Sequence, residues 1–515
     1  MSDFSLSMKA KRNWNLVFVL ALTVVAGGAC ALRVWAKDTA YGLFVDEVLY
    51  GSLAQSAVTQ GVIPLDSFGH AFLLHPPLVF LVASGLLTGF GALNQNDIVQ
   101  LVDQVRWANI IVGALTAALT GLVVRFALRS HIRQASIAGI LVAVLVAVDP
   151  FVTRSNGRFM LETITMAMAL IGYTILLPAV NRGRLNVWTM IGSGLLLGLA
   201  ILGKDMMVMA IAIPLIVAFF MKLGGISRAR WFSILLISAV PYALYIAYVS
   251  QTEHWQKWIE DKIFGIRRAV GLEQVTGFHA PGAPNLFDKI VGELGTYWPT
   301  YLVVLLAVPA TIYLLVKGTA GERLVALFTI GPGALLAFDL VAGTLEEQFL
   351  YYLLIPAFAS VMITADILVF SRAVRRAIVE RLVVGLVLLG AVVTPSILHQ
   401  VQIRTIPDDA YQNAIAYIAE HRQPGEAVAW AEGTTNYTLA QYFYMNDREL
   451  AGPWASPYGI SKHGVKYVLT TSKEIREGYT YLDRRFLKRT LPNYADPVFS
   501  SHSRWNGLVQ VWKVR

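Results

Sequence analysis

The stretch YGLFVDEVLYGSLAQSAVTQG, residues 41–61, places two adjacent carboxylates, Asp46 and Glu47, just after the first long apolar run. Aromatic and apolar side chains surround the pair, so the segment reads as amphipathic and is expected to lie against a membrane interface. Ionisable groups at such a position are costly, which makes them candidates for function. The alternative is that the pair only solvates a loop, and this stretch alone does not decide between the two.

The composition indicates a polytopic α-helical membrane protein. Of 515 residues, 56% are hydrophobic and only 15% are charged, whereas a soluble protein carries about 25% charged residues. The first apolar run, residues 14–35, is too long for the core of a signal peptide and has no clear cleavage site, so it is expected to be a retained helix. The single cysteine, Cys30, excludes an intramolecular disulfide. The net charge of +9 resides in short loops between spans and does not indicate nucleic-acid binding.

The apolar runs end in basic loops, which the positive-inside rule places in the cytoplasm together with the N-terminus. These loops carry Arg129/Arg133, Arg182/Arg184, Lys222/Arg228/Arg230, Lys317/Arg323 and Arg372/Arg375/Arg376/Arg381. About eleven crossings follow, at residues 14–35, 107–128, 135–150, 159–180, 188–203, 206–221, 231–250, 299–316, 324–343, 349–370 and 382–399. This count leaves the C-terminus outside a plasma or inner membrane.

A further apolar run, residues 76–93, would reverse the topology if it crossed, so it is predicted to be a re-entrant or interfacial helix on the outer side. The first outer loop then extends from Lys37 to Arg106 and contains juxtamembrane helices. Residues 400–515 have no spanning run. Helices expected at 408–421, 435–444 and 481–489 alternate there with strands expected at 427–431, 465–471, 497–501 and 508–514. This alternation predicts a small α/β domain on the outer face. We therefore expect a transmembrane catalytic domain at 1–399 and an extracytoplasmic domain at 400–515.

Ionisable residues of the early spans gather on the predicted outer side. They are Asp46, Glu47, His75, Arg106, Arg158, Glu162 and Lys204. Acids and bases at one membrane face suggest that an anionic lipid head group is held there while a carboxylate removes a proton. Each residue also has a plainer explanation.

Three stretches supply most of these residues, and each carries its own alternative. In LLHPPLVFLVASGLL, residues 73–87, the two prolines fix His75 at the membrane surface, although a lone histidine is more often structural. In DPFVTRSNGRFMLETITM, residues 149–166, Arg158 and Glu162 are spaced to pair with each other on a helix. In LGLAILGKDMMVMA, residues 197–210, Lys204 could simply snorkel at a tight turn.

Together these stretches resemble the GT-C glycosyltransferases, and within them the branch of protein O-mannosyltransferases and lipid A aminoarabinose transferases. The likeness consists of an Asp-Glu pair after span one, a His-Pro-Pro segment in the same loop, an arginine opening the next span (VRWANIIVGALTAALTG), and the RFMLE run. It covers roughly residues 10–400 and is most marked over 40–205. No β-trefoil extension like that of the eukaryotic protein mannosyltransferases is visible in the sequence, which favours a prokaryotic-type enzyme.

The resemblance implies transfer of a hexosyl or pentosyl group from a polyprenyl-phosphate donor, usually with inversion, to a protein, glycan or lipid acceptor on the outer face. Asp46 corresponds to the family's acidic residue in this loop and is the expected general base, and Glu47 would orient the acceptor or hold a metal. Cationic and polar groups would stabilise the leaving phosphate. The candidates are His75, Arg106, Arg158, Lys204, Arg267, Arg268 and Tyr352.

Some relatives use a divalent cation, for which Asp46 and Glu162, or Asp149, are the candidate ligands. Two departures bear on the phosphate contacts. The aminoarabinose branch has a lysine where His75 stands, so a contact by His75 depends on its protonation. The late family motif is a tyrosine followed by two apolar residues and a proline. In YYLLIP, residues 351–356, one extra residue stands before Pro356, which affects the match of Tyr352 to the family's phosphate contact. Arg267 and Arg268 could instead anchor the second outer loop, residues 251–298, to anionic membrane lipids.

Two other classes of function compete with sugar transfer. A secondary transporter of a small or lipid-linked solute would place ionisable groups at mid-membrane depth and show repeat symmetry, and the sequence has no detectable repeat. A non-catalytic, lipid-binding relative would keep the fold without the activity.

Overall fold

The computed structural model describes residues 2–66, 69–89, 98–128, 132–273, 286–370, 389–430, 451–452, 454–472, 486–504 and 507–515. Fourteen α-helices are described in the first 370 residues. They are α1 (Ser2–Val34), α2 (Val45–Gln60), α3 (Leu78–Gly89), α4 (Ile98–Ala127), α5 (Ile132–Val148), α6 (Pro150–Gly157), α7 (Leu161–Arg182), α8 (Val187–Gly203), α9 (Met207–Met221), α10 (Arg228–Val249), α11 (Trp255–Ala269), α12 (Leu286–Lys317), α13 (Ala320–Ala342) and α14 (Leu350–Ala365).

The described residues contain seven helices that are long and apolar enough to span a membrane, or eight if the bent pair α5–α6 counts as one. The polytopic fold class is thereby confirmed. The spans predicted at 188–203 and 206–221 match the apolar helices α8 and α9 in position, and both helices are shorter than 18 residues. The span predicted at 135–150 ends where the chain bends by 64° into α6, which starts at Pro150. The span at 382–399 lies partly outside the described residues.

The loop that follows α1 contains two helices that are too short or too polar to cross. The α2 helix starts just after Phe44, whose backbone N–H donates to the Glu47 carboxylate at 3.3 Å and so satisfies one free amide at the helix start. The α3 helix begins directly after the Pro76–Pro77 pair and has 12 residues, whereas about 20 are needed to cross a bilayer. Both helices therefore fit the prediction that this loop remains on one side of the membrane.

The C-terminal segment has the predicted mixed α/β character. Its described helices are α15 (Thr394–Thr405), α16 (Ala410–His421), α17 (Pro457–His463) and α18 (Leu491–Tyr494). Its strands are β1 (Ala427–Trp430), β2 (Ala451–Gly452), β3 (Val465–Thr471), β4 (Ala495–Ser503) and β5 (Gly507–Val514), in the sheet order β2-β1-β3-β5-β4.

Within this sheet β1 pairs in parallel with β2 and β3, and β5 is antiparallel to β3 and β4. The helix expected at 435–444 and most of the one expected at 481–489 fall outside the described residues. The division into domains at residue 399 stays a prediction.

Two large apolar clusters form the core. The first joins the spanning helices from α1 to α14. The second joins α2, α3 and α4 to the C-terminal segment, and contains Val48 and Leu53 of α2 together with Ala414 of α16 and Val511 of β5. The α1–α4 loop and the C-terminal sheet therefore bury apolar surface against each other, which holds α2 in a fixed position.

Candidate active site

The two adjacent carboxylates at the start of α2 have different surroundings. Glu47 is fully buried and receives two bonds from the Arg106 guanidinium, from Nε at 2.6 Å and from Nη2 at 2.8 Å. The backbone N–H of Phe159 also donates to Glu47, at 3.1 Å. A bidentate arginine–carboxylate pair is among the most directional contacts in proteins. Glu47 is thus fully engaged in joining α2 to α4 and to the turn before α7.

The same arginine also fixes the chain that precedes α2. Arg106 Nη1 donates to the carbonyl of Lys37 at 2.8 Å, and Nη2 lies 3.2 Å from the carbonyl of Tyr41 and 3.4 Å from that of Gly42. These bonds use the donors of a side chain that is only 2% exposed. Arg106 and Glu47 therefore hold the chain before α2 in place.

Asp46 points into a different environment. It is partly buried, and no hydrogen bond or ion pair to its carboxylate is found within the described part of the chain. Four charged groups lie within electrostatic range: Glu346, Lys204, Glu162 and Arg268. Burial, reinforced by the two carboxylates, raises the pKa of Asp46 to about 6, although Lys204 and Arg268 oppose the shift.

The four neighbours of Asp46 are themselves paired. Lys204, at the C-cap of α8, forms an ion pair with Glu162 at the start of α7, and both side chains are almost fully buried. Arg268, in the last turn of α11, pairs with Glu346 just before α14. Glu162 is thus paired with Lys204, whereas its spacing in the sequence had left a pair with Arg158 as an alternative to a site role. Together with Asp46, the group contains three carboxylates and two cations.

His75 lies beside this group, between Tyr50 and Phe72, whose rings are 6.0 Å and 5.9 Å from its own. Burial lowers the pKa of His75 well below its usual value, and nearby Lys204, Lys262 and Arg268 add to the effect. The imidazole is thus neutral at pH 7 and has one N–H to donate to a phosphate.

The other predicted residues fall at differing distances from Asp46. Tyr352 is buried on α14 within electrostatic range of Glu162. Arg267 lies on the surface and pairs with Glu273, with 54% of its side chain exposed. Arg158 is buried, with its guanidinium 5.8 Å from the centre of the Tyr41 ring and 5.1 Å from that of Phe44.

The candidate metal ligands do not form a site. Asp149 caps α6 by accepting the N–H of Val152 at 2.9 Å, and it also accepts the hydroxyl of Thr300 at 2.7 Å. Glu162 is neutralised by a lysine. The described residues contain no group of three or more His, Cys, Asp or Glu that could hold an ion. Among the described residues, these groups therefore do not form a site for the divalent cation that the sequence suggested.

Two residues near Asp46 were not foreseen. Lys262 of α11 bonds to Asp205 at 2.9 Å and to the carbonyl of Leu74 at 2.8 Å, next to His75. Glu346 pairs with Arg268 and acts on Asp46. Lys262 stands five residues before Arg267 on the amphipathic helix α11, so its position on that helix was the one available signal.

Comparisons by sequence are negative: no family profile and no curated protein matches the chain. Comparisons by structure are positive. The archaeal oligosaccharyltransferase of Archaeoglobus fulgidus, solved with Zn and sulfate, is similar with a TM-score of 0.57 at 12% identity, covering 95% of this chain and 72% of that one. The same enzyme, AglB, solved with an inhibitory peptide and a dolichol-phosphate, gives 0.57 at 14% identity and covers 96% and 74%.

A second enzyme matches over nearly the full length of both chains. ArnT from Cupriavidus metallidurans, solved with undecaprenyl phosphate, has a TM-score of 0.54 at 12% identity, and the match covers 97% of this chain and 98% of that one. Identities this low establish a shared fold only. The chain therefore shares the fold of these two enzymes, which agrees with the fold class that its sequence predicted.

Proposed function

We propose that this protein is a glycosyltransferase that takes a sugar from a polyprenyl-phosphate carrier and transfers it to a hydroxyl-bearing acceptor, with Asp46 as the general base. The observation that carries the proposal is the state of Asp46. Among the acids gathered around α2, Glu47, Glu162 and Glu346 are each paired with a cation, whereas Asp46 has no partner within the described residues. Its raised pKa suits proton transfer near neutral pH.

The proposed reaction is a single displacement with inversion. The acceptor hydroxyl oxygen attacks the anomeric carbon and forms the new glycosidic bond while its proton passes to Asp46. The bond between the anomeric carbon and the phosphate oxygen breaks, and its electron pair leaves with the polyprenyl phosphate. Positive charge near that oxygen lowers the barrier, since the leaving group gains negative charge in the transition state.

Lys204 and Arg268 are the proposed phosphate contacts, with His75 and Tyr352 as neutral hydrogen-bond donors and Lys262 close by. All of them surround Asp46 or its immediate neighbours. Glu47 and Arg106, which the sequence suggested for catalysis and phosphate binding, are proposed instead to position α2. The carriers present in the similar structures, undecaprenyl phosphate in ArnT and a dolichol-phosphate with AglB, are consistent with this donor class.

The depth of the charges also argues against the secondary transporter. Asp46 lies at the start of α2, Glu162 at the start of α7, Lys204 at the end of α8 and Glu346 just before α14. A transporter would place such groups midway along its spans. Charges at helix ends fit a reaction at the membrane surface, which we propose is the outer surface of a plasma or inner membrane.

The test is transfer by purified protein given a panel of polyprenyl-phosphate sugars. Asp46→Asn is expected to lower the turnover of the accepted donor by about 10²–10⁴-fold, the usual contribution of a general base. Asp66→Asn, in the same loop but outside the Asp46 group, is the matched control and should keep wild-type turnover. Thermal unfolding of both variants excludes misfolding. Full activity of Asp46→Asn would remove Asp46 from the base role.

A further inference from the structure

Two buried arginines outside the Asp46 group lack a full set of acceptors. Arg33, in the last turn of α1, is 1% exposed, and Arg404, in the last turn of α15, is 5% exposed. Arg33 Nη1 donates to the carbonyls of Ala29 and Ala147 at 3.0 Å and 3.2 Å. Its Nε and Nη2 donate to nothing within the described part of the chain, and the same is true of all three guanidinium nitrogens of Arg404.

A carboxylate near Arg33 is already used. Asp149 lies within electrostatic range of Arg33, but it accepts bonds from Val152 and Thr300. Arg33 and Arg404 also lie within range of each other and repel. A buried guanidinium without a counter-charge costs several kcal/mol, so two of them side by side indicate that an anion belongs between or beside them.

Other polar atoms at the same place are also unsatisfied. The Tyr41 ring lies 5.5 Å from the Arg404 guanidinium, and its hydroxyl has no hydrogen-bond partner within the described residues. Gln400, one turn before Arg404 on α15, is fully buried, and neither atom of its amide is bonded. Two guanidinium groups, an amide and a phenol together offer the donors that a tetrahedral oxyanion accepts.

The position of this group favours a lipid as the source of the anion. On the same helix as Arg404, Ile397, Leu398 and Val401 are 45%, 64% and 39% exposed. An exposed apolar face of this kind suits contact with acyl or prenyl chains. The unpaired nitrogens themselves are shielded from solvent, so an anion would enter as α15 or the Tyr41 ring shifts.

This group is separate from the Asp46 site. The charges that act on Asp46 are Glu346, Lys204, Glu162 and Arg268, and none of them is among the groups that act on Arg33. The α14 helix contributes to both sides through adjacent tyrosines. Tyr351 lies near Arg33, whereas Tyr352 lies near Glu162.

We propose that Arg33, Arg404, Gln400 and Tyr41 form a second anion site that binds the phosphate group of a membrane lipid. The site would hold one lipid phosphate while the Asp46 site holds another. The site itself follows from charge and burial on the far side of α14, whereas the expected total of two bound lipids also rests on the proposed function, in which the Asp46 site holds the donor.

Native mass spectrometry of the delipidated full-length protein with undecaprenyl phosphate counts the bound lipids. We expect two per wild-type chain and one for Arg404→Met, with Arg404→Lys binding the second lipid about tenfold more weakly than wild type. Arg182→Met is the matched control. It removes an exposed arginine from the end of α7 opposite Glu162, and this variant should keep two bound lipids. Arg268→Met should also lose one lipid, and this loss reports on the Asp46 site alone.

Parallel melting curves identify the source of the anion and guard against misfolding. Without lipid, Arg404→Met should melt no lower than wild type, because it removes an uncompensated charge. Undecaprenyl phosphate or phosphatidylglycerol should raise the melting temperature of wild type more than that of Arg404→Met. Equal lipid counts and equal shifts for these two proteins would overturn the proposal. A response to inorganic phosphate alone would overturn the assignment to a lipid.

Discussion

The two polar groups on either side of α14 differ in what each lacks. Around Asp46 the cations are already matched to carboxylates, and one carboxylate is left over. Around Arg33 and Arg404 the one acid shown nearby, Asp149, already accepts other bonds, and guanidinium nitrogens within the described residues are left over. A spare carboxylate with a raised pKa can accept a proton, whereas spare buried cations attract an anion. The local charge balance therefore supports the proton transfer proposed for the first group and the anion binding proposed for the second.

The largest effect on stability is expected from the pair that holds α2 in place. Glu47→Gln leaves the Arg106 guanidinium buried without its counter-charge, so it should destabilise the protein by about 3–5 kcal/mol. Thermal or denaturant unfolding in detergent measures this loss. Glu273→Gln, which breaks only the surface pair with Arg267, is the control and should cost less than about 1 kcal/mol. Wild-type stability of Glu47→Gln would mean that the two adjacent acids do not differ as proposed.

A smaller effect is expected on donor binding. Lys204→Met removes a buried cation next to Asp46, and it should raise KM for the polyprenyl-phosphate sugar about 10–100-fold, the value of a charged hydrogen bond of about 1.5–3 kcal/mol. Steady-state kinetics with varied donor concentration give this number. Lys222→Met, at the far end of α9, should leave KM unchanged. An unchanged KM in Lys204→Met would move the donor phosphate away from this group.

The pH dependence follows from the pKa of Asp46, which is raised from 3.8 to about 6. Activity should rise with pH through about 6 as the carboxylate becomes ionised. The stability effect has the opposite sign, because Asp46 ionises more readily in the unfolded chain than in the folded one. The folded state therefore loses stability as pH rises from about 4 to about 6, and the loss persists at higher pH. Asp46→Asn should therefore melt higher than wild type at pH 7.5, and the two should converge near pH 4. A lower melting temperature for the variant at both pH values would contradict this.

The smallest effects distinguish the neighbouring arginines of α11. Arg267 pairs with Glu273 at the surface, so Arg267→Met should change neither stability nor activity by more than about 1 kcal/mol. Arg268 lowers the pKa of Asp46, so Arg268→Met should shift the acidic limb of the pH–rate profile to higher pH. Identical profiles for both variants would show that Arg268 does not act on the base.

The sequence predicted the fold well because its dominant signals are local. Apolar runs of about 20 residues and basic loops locate spans without knowledge of packing. Residues 76–93 were predicted not to cross because one more crossing would place the basic loops on the wrong side. The strands near 427–431 and 465–471 were also predicted from local patterns. The bend at Pro150 was missed because it depends on how neighbouring helices pack.

The site was predicted in part. Asp46, His75, Glu162 and Lys204 were expected to meet because topology gathers them at one end of the spans. Their pairing was not predictable, since nothing local shows that Lys204 reaches Glu162 or that Arg106 chelates Glu47. Arg404 lies at the boundary expected between two domains, where no span or motif pointed to it. Charge pairing is decided by contacts between distant segments, and such contacts appear only in the folded chain.

The apolar cluster that joins α2 to the C-terminal sheet bears on how the protein is made. Val48 and Leu53 emerge from the ribosome long before Ala414 and Val511, which later cover them. During that interval the helix that carries Asp46 lacks the apolar contacts that the C-terminal segment later provides. The packing of α2 is then complete only after the last strand has been translated, so we expect a chain that lacks β5 to lack the proposed activity.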